Sequence, residues 1–256
     1  MAVQVYFIGA GPGDPELLTI KGRRIIEQAD VIIYADSLID SRVCSFARET
    51  AEIHKSASLT LTEITEIILS AVKQGKTVAR LQSGDPSIYG AIREQMAALE
   101  EHGIKYEIVP GVSSLFAAAA SLKAELTIPE LSQTVIITRT EGRTPVPERE
   151  SLKNLAAHQA TLAIFLSVSL MEKVVEELLD GGYPSETPVA VVYRVSWNDE
   201  TVIRSTLKDI VKRVQTLGIK RQALILVGDV LDPGRKGCRS RLYHKNFSHG
   251  YRQRKL

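Results

Sequence analysis

Val5-Tyr6-Phe7-Ile8-Gly9-Ala10-Gly11-Pro12-Gly13-Asp14 ends the chain's first apolar run in three glycines and a proline. The run at 3–8 reads as a buried parallel strand, and the loop as its handover to a helix. Glycine has no Cβ, so backbone there can approach a ligand closely and reach positive φ. Strand ends of this kind in an open α/β sheet bind nucleotide-like ligands. A dinucleotide fingerprint needs a third glycine where Asp14 stands, and a carboxylate there would oppose a pyrophosphate. No Gly-Lys-Ser/Thr follows, so a phosphate loop is excluded as well. The loop is expected to hold a ligand near backbone, but not a pyrophosphate.

Two further glycine-bearing loops follow strand-like runs. Ser83-Gly84-Asp85-Pro86-Ser87-Ile88-Tyr89-Gly90 comes after 78–81, and Pro110-Gly111-Val112-Ser113-Ser114 after 106–109. Asp85 or Ser87 suits a helix N-cap with Pro86 in the first turn. Asp85 suits equally an acceptor for a ribose or amino group. Ser113 or Ser114 can cap the Ala-rich helix that follows, or donate to a ligand carboxylate. Three such loops at three strand ends point towards one cleft, a recurrence that tight turns alone do not explain.

Around these loops the first half alternates strands (3–8, 31–34, 78–81, 106–109) with helices (18–28, 62–73, 91–102, 115–122). Ile64, Ile67, Ile68, Ala71 and Val72 fall on one helical face. Gly75 and Gly103 stand where helix C-terminal glycines belong. This alternation predicts a mainly parallel sheet covered by helices. The second half restarts at 135–138 and carries helices near 152–158, 171–179 and 207–217. Its strands are expected at 161–166, 189–193, 201–204 and 223–227, with 189–193 and 201–204 forming a hairpin through Trp197-Asn198-Asp199. The expected organisation is an N-terminal α/β domain over 1–128, a C-terminal α/β domain over 129–234 and a basic tail over 235–256.

Composition is ordinary for a globular protein, 44% apolar and 24% charged in 256 residues. No apolar run is long enough to predict a transmembrane helix. The N-terminus lacks a basic region ahead of an apolar one, so no signal peptide is expected. Cys44 and Cys238 lie far apart, without Cys or His at metal-ligand spacing; no metal site is expected, and a reduced, cytoplasmic setting is. The net charge of +2 hides an asymmetry: eight Lys/Arg and no Asp/Glu from residue 235 onward leave 24 basic and 30 acidic residues before it. The tail reads either as a solvated end or as a contact surface for an anion, nucleic acid or subunit. Its Leu242, Tyr243, Phe247 and Tyr251 argue against pure disorder. The acidic body argues against nucleic acid as the partner. Ser113 lies outside a Gly-x-Ser-x-Gly elbow, the five histidines are scattered, and no carboxylate pair is marked as acid and base.

In combination and order, the three loops and Tyr34-Ala35-Asp36-Ser37-Leu38-Ile39 closely resemble the tetrapyrrole methylases. The likeness runs from the first strand into the tail. These are S-adenosylmethionine-dependent methyltransferases of cobalamin and sirohaem synthesis. The segment 138–148, the ending Arg241-Leu242-Tyr243-His244 and the stretch 247–252 are similar to the members acting at carbon 11 of the macrocycle. The resemblance implies two α/β domains with the cofactor cleft between them, and a homodimer. It implies cofactor contacts at Pro12, Gly84, Asp85, Ile88, Ser113, Ser114, Leu166, Tyr193 and Ala223; Leu166 departs from the family's commoner Met. S-adenosylmethionine would leave as S-adenosylhomocysteine. The implied substrate is a polycarboxylate tetrapyrrole, with Asp36, Arg139 and Arg143 on its side of the site and no assigned catalytic base. Alternatives are the same chemistry on another macrocycle carbon, on uroporphyrinogen III or on RNA, and a non-catalytic cofactor-binding module.

Overall fold

The computed structural model describes residues 3–232, with 234, 247, 248, 250 and 251. The expected basic tail, apart from those last residues, lies outside the described part. The chain divides into two compact units. One runs to Ala117 and includes Arg194–Glu200; the other holds Ala118–Tyr193 and the described residues from Thr201 onward.

The first unit carries five parallel strands: β1 (Val5–Gly9), β2 (Val31–Tyr34), β3 (Glu52–Lys55), β4 (Val78–Gln82) and β5 (Tyr106–Val109). Their order is β3-β2-β4-β1-β5. Its helices are α1 (Ile20–Gln28), α2 (Leu61–Lys73) and α3 (Ile92–Glu101), while α4 (Ser114–Leu122) straddles the division in sequence. Both sheet faces are covered, which is why β2 is buried at every residue and reads as a continuous apolar run. One face packs Phe7, Val31, Ile33 and Val78 against Ile64 and Ile68 of α2 and Leu99 of α3. The other packs Ile8, Ile32 and Leu81 against Ile25 and Ile26 of α1.

The expected face of α2 is the one buried: Ile64, Ile68 and Ala71 are inside, with Ile67 and Val72 packed at the margin. Thr60 and Glu63 close a capping box at its start. Two features depart from the sequence reading. β3 was not anticipated: Glu52-Ile53-His54-Lys55 has no apolar run, because an edge strand with charged side chains needs none. The helix expected from residue 91 is not capped by Asp85 or Ser87. Its cap position is Ala91, in the left-handed region at φ +49° with no side-chain hydrogen bond.

The second unit holds β6 (Val135–Thr138), α5 (Leu152–Ala156), β7 (Thr161–Ile164), α6 (Met171–Asp180), β8 (Pro188–Tyr193), β9 (Thr201–Thr206), α7 (Ile210–Thr216) and β10 (Ala223–Val227). The sheet order is β6-β7-β10-β8-β9, with only β6 and β7 parallel. The expected hairpin is β8–β9. Leu162, Ile164, Val174, Leu178, Val191, Ile210 and Ile225 anchor this unit's core.

Packing, rather than capping, should dominate the stability of α2. Ile68→Ala empties a site that is 1% exposed and should cost about 2–5 kcal/mol. Thr60→Ala removes the cap and should cost about 1 kcal/mol. Denaturant unfolding of both variants checks the ranking, and equal costs would refute it.

A candidate ligand site at the strand carboxyl ends

β4, β1 and β5 are neighbours and parallel, so their carboxyl ends share one edge and their loops meet there. The loops touch backbone to backbone. Gly11 and Gly84 exchange hydrogen bonds, 3.3 Å from Gly11 N to Gly84 O and 2.9 Å from Gly84 N to Gly11 O. A Cβ on Gly9 would lie 2.5 Å from the Gly111 Cα, and one on Gly111 would lie 2.2 Å from the Gly84 carbonyl oxygen. No side chain fits at either position. Gly84 itself sits at φ +64°, a conformation glycine adopts without strain.

Asp85 ties two of the loops together. One carboxylate oxygen accepts from Gly111 N at 2.9 Å; the other accepts from the Ser87 backbone N, also at 2.9 Å, and from the Ser87 hydroxyl. Burial pushes its pKa up, but the Ser87 hydroxyl and then the Gly111 and Ser87 amides outweigh that, so the group lies below the ordinary carboxylate value. Asp85 is an ionised acceptor at neutral pH. Ile88 is half-buried beside it, and Ser113 is buried, its hydroxyl accepting from Leu115 N at 3.3 Å.

A contact not foreseen from sequence completes the first loop. Trp197 Nε1 donates to the Pro12 carbonyl at 3.0 Å, and Ser196 Oγ accepts from Asp14 N at 2.9 Å. A Cβ on Gly13 would strike the Trp197 ring at 2.2 Å. The guanidinium of Arg194 lies 4.4 Å from that ring's centroid and pairs with Asp199 at 2.6 Å. The hairpin-tip signal was readable, but nothing in the sequence says what the tip packs against. Asp36, after β2 on the same edge, is exposed and accepts from Ala57 N at 3.2 Å.

In the second unit the carboxyl ends of β6, β7 and β8 and the start of β10 share an edge. That edge brings together Arg139, Leu166, Tyr193 and Ala223, the last two paired in register. Leu166 is 70% exposed at φ +55°, a strained setting for leucine. The turn around it is fixed by buried Ser167, whose hydroxyl accepts from Thr140 N at 2.9 Å and donates to Phe165 O at 2.6 Å. The Arg139 guanidinium donates to the carbonyls of Thr140, Thr144 and Pro145 and so shapes its own loop. Arg143, in that loop, is exposed. Among the described residues no group of three or more His, Cys, Asp or Glu could hold a metal ion. None of their helices is long and apolar enough to cross a membrane.

The paired acceptors of Asp85 should be felt in stability. Its contribution is full above about pH 4 and is lost as pH falls through its lowered folded-state pKa. Asp85→Asn keeps a single acceptor oxygen and should cost about 1 kcal/mol at pH 7. Unfolding measured against pH should show the wild type and the variant converging in acid; a constant gap would contradict the ionised-acceptor role.

Comparison with known proteins identifies the family. The family model for Tetrapyrrole (Corrin/Porphyrin) Methylases matches residues 4–211. The cobalt-precorrin-4 C(11)-methyltransferase of Methanocaldococcus jannaschii is 60% identical over 250 residues, covering 98% of this chain and 96% of the relative. The precorrin-4 C(11)-methyltransferase of Pseudomonas aeruginosa is 50% identical over 97% of this chain and 98% of its own. Among solved structures, a cobalt precorrin-4 methyltransferase superposes with a TM-score of 0.87 at 51% identity, covering 90% of this chain and 96% of its own. Uroporphyrin-III C-methyl transferase from Thermus thermophilus, complexed with S-adenyl homocysteine, superposes at 0.75 with 30% identity, covering 89% and 93%. The chain belongs to the tetrapyrrole methylases.

Proposed function

We propose that this tetrapyrrole methylase transfers a methyl group from S-adenosylmethionine to carbon 11 of precorrin-4 or cobalt-precorrin-4 in corrin-ring synthesis. The near-full-length match to carbon-11 methyltransferases carries this reading. The site residues are compatible with the donor. An ionised Asp85 beside glycine-built backbone suits a ligand bearing both ammonium and ribose hydroxyl donors. When bound, S-adenosylmethionine supplies a sulfonium methyl, which an electron-rich ring carbon can attack without a covalent protein nucleophile.

The protein's part is then to align carbon, methyl and sulfur and to exclude water. Such positioning can be worth roughly 7–11 kcal/mol of barrier. Pro12, Gly84, Asp85, Ile88, Ser113, Ser114, Leu166, Tyr193 and Ala223 are proposed to hold the donor. Asp36 and Arg143 are assigned to the macrocycle, with Arg139 holding the loop that presents Arg143. Guanidinium binds carboxylate through two parallel hydrogen bonds, which suits a substrate edged with acetate and propionate arms. A homodimer, the further reading from family resemblance, is open to light scattering of the purified protein; a cytoplasmic setting is the reading from cysteine usage.

Mass spectrometry of the protein with S-adenosylmethionine and enzymatically prepared precorrin-4, with and without cobalt, tests the proposal. One added methyl with S-adenosylhomocysteine released is the expected result, and the metal dependence chooses the route. No methyl gain despite tight donor binding would reject the carbon-11 assignment. Arg143→Ala should weaken precorrin-4 binding about tenfold, as loss of a charged hydrogen bond does, and leave calorimetric donor affinity intact. Unchanged precorrin-4 affinity would remove Arg143 from the site.

A further inference from the structure

β4 is the middle strand of its sheet, and one of its faces turns polar towards the ligand edge. Ala79 and Leu81 pack into the apolar cluster against α1. Val78, on the opposite face, belongs to the cluster beneath α2 and α3, and alternation puts Arg80 and Gln82 on that side. Arg80 is 6% exposed and Gln82 7%. Buried side chains of these types are ordinarily paired or fully hydrogen-bonded.

Among the described residues Gln82 breaks that rule, and Arg80 meets it through neutral partners alone. Arg80 donates only to neutral acceptors: Gln95 Oε1 at 3.0 Å, Ser56 Oγ at 2.9 Å and the Ile33 carbonyl at 3.4 Å. Burial alone moves its pKa, down to about 10, with no neighbouring charge contributing. The wholly buried Nε2 of Gln82 meets no acceptor among the described residues. Two donor groups therefore stand two residues apart on one strand face; among the described residues one is a cation without a counter-charge and the other an amide without a partner. Each leaves a cost in place that an anionic acceptor would relieve.

We propose that Arg80 and Gln82 bind a carboxylate arm of the tetrapyrrole as a buried donor pair beneath the strand carboxyl ends. The inference rests on the methyltransferase reading above. The guanidinium reaches Ser56, one residue past the end of β3, so its tip lies level with the ligand edge. It turns towards β2 and the end of β3, away from the loops after β1 and β5 that are assigned to the methyl donor. For the guanidinium, that direction favours a macrocycle carboxylate; Gln82, opposite Gly9 and next to the Ser83-Gly84-Asp85 loop, makes the donor's own carboxylate the rival that the test must separate. Gly9 stands opposite Gln82 in register and adds no side chain beside the amide.

Gln82→Glu separates this role from a structural one. It exchanges the amide donor for a carboxylate that repels the ligand's, and at the same time adds a negative charge to the strand face that carries Arg80. Protein loaded with S-adenosylhomocysteine, which cannot turn over, is titrated with precorrin-4 by absorbance; calorimetry measures S-adenosylhomocysteine itself. The expected result is precorrin-4 binding weakened about 10- to 100-fold with S-adenosylhomocysteine affinity unchanged. A raised thermal midpoint with unaltered precorrin-4 affinity would overturn the inference, leaving the pair structural. Weakened S-adenosylhomocysteine binding with intact precorrin-4 binding would overturn it in favour of the donor's carboxylate. Should Gln82→Glu fail to fold, Gln82→Leu removes the amide donor alone and should weaken precorrin-4 binding several-fold; no change would again refute the pair. Wild-type protein that takes up no precorrin-4 would sink the carbon-11 reading itself.

Discussion

The candidate site depends on one constraint, the backbone-to-backbone packing of Gly9, Gly84 and Gly111. Three adjacent parallel strands end at the same edge, but strand order alone only brings their loops near each other. The loops close into a single floor because no Cβ separates them. Asp85 can then accept from Gly111 N across the junction, and its own turn is held by Ser87. Widening that junction by one methyl group would part the Asp85–Gly111 bond, since a Cβ on Gly111 overlaps a carbonyl oxygen that has no flexible end to move. Glycine packing thus supplies one of the hydrogen bonds that lower the Asp85 pKa, beside the larger share from the Ser87 hydroxyl.

Strain collects around the same features. Among the described residues nine non-glycine positions lie in the left-handed region, and five of them are Tyr89, Ala91, Leu166, Arg194 and Ser196. Those five sit in the loop after β4, the turn after β7 and the hairpin tip carrying Trp197. Each costs about 1–2 kcal/mol relative to relaxed backbone, so the surrounding contacts must over-determine it. Such contacts are present: Ser167 hydrogen-bonds both ways under Leu166, and Ser196 is held by Asp14 N and by the Glu200 carboxylate. The strain therefore reflects loops held in fixed positions, consistent with a catalyst that works by alignment.

How legible all this was in the sequence depended on the range of the forces involved. β1 and β2 were readable because burial on both faces makes them near-continuous apolar runs, and α2 because its apolar period is local. The three loops were readable because glycine requirements are written into the residue itself. β3 was not, since an edge strand with an exposed charged face has no compositional signature. Nor was the docking of Trp197 on Pro12, which joins residues 185 positions apart. Arg80 and Gln82 were passed over inside a run whose other members are apolar. A buried arginine can be recognised as unpaired only after its surroundings are known.

The polar face of β4 shows what the apolar pattern hides. Replacing Arg80 and Gln82 with well-packed apolar residues would cost the fold nothing in hydrogen bonds to ladder partners, because those run through backbone. Buried charge exchanged for hydrophobic volume is often neutral or stabilising. A strand that keeps, among the described residues, a cation without a counter-charge and an unpaired amide near its carboxyl end, within a sheet otherwise packed by apolar side chains, is poorly explained by stability alone. The opposite face of the same strand meets the ordinary standard, with Ala79 and Leu81 fully buried among apolar neighbours. The asymmetry follows the direction of the strand: its polar residues are the third and fifth of five, and the fifth is followed directly by the Ser83-Gly84-Asp85 loop. The two faces of one strand thus differ in kind, and an acceptor carried by a ligand would complete the polar one.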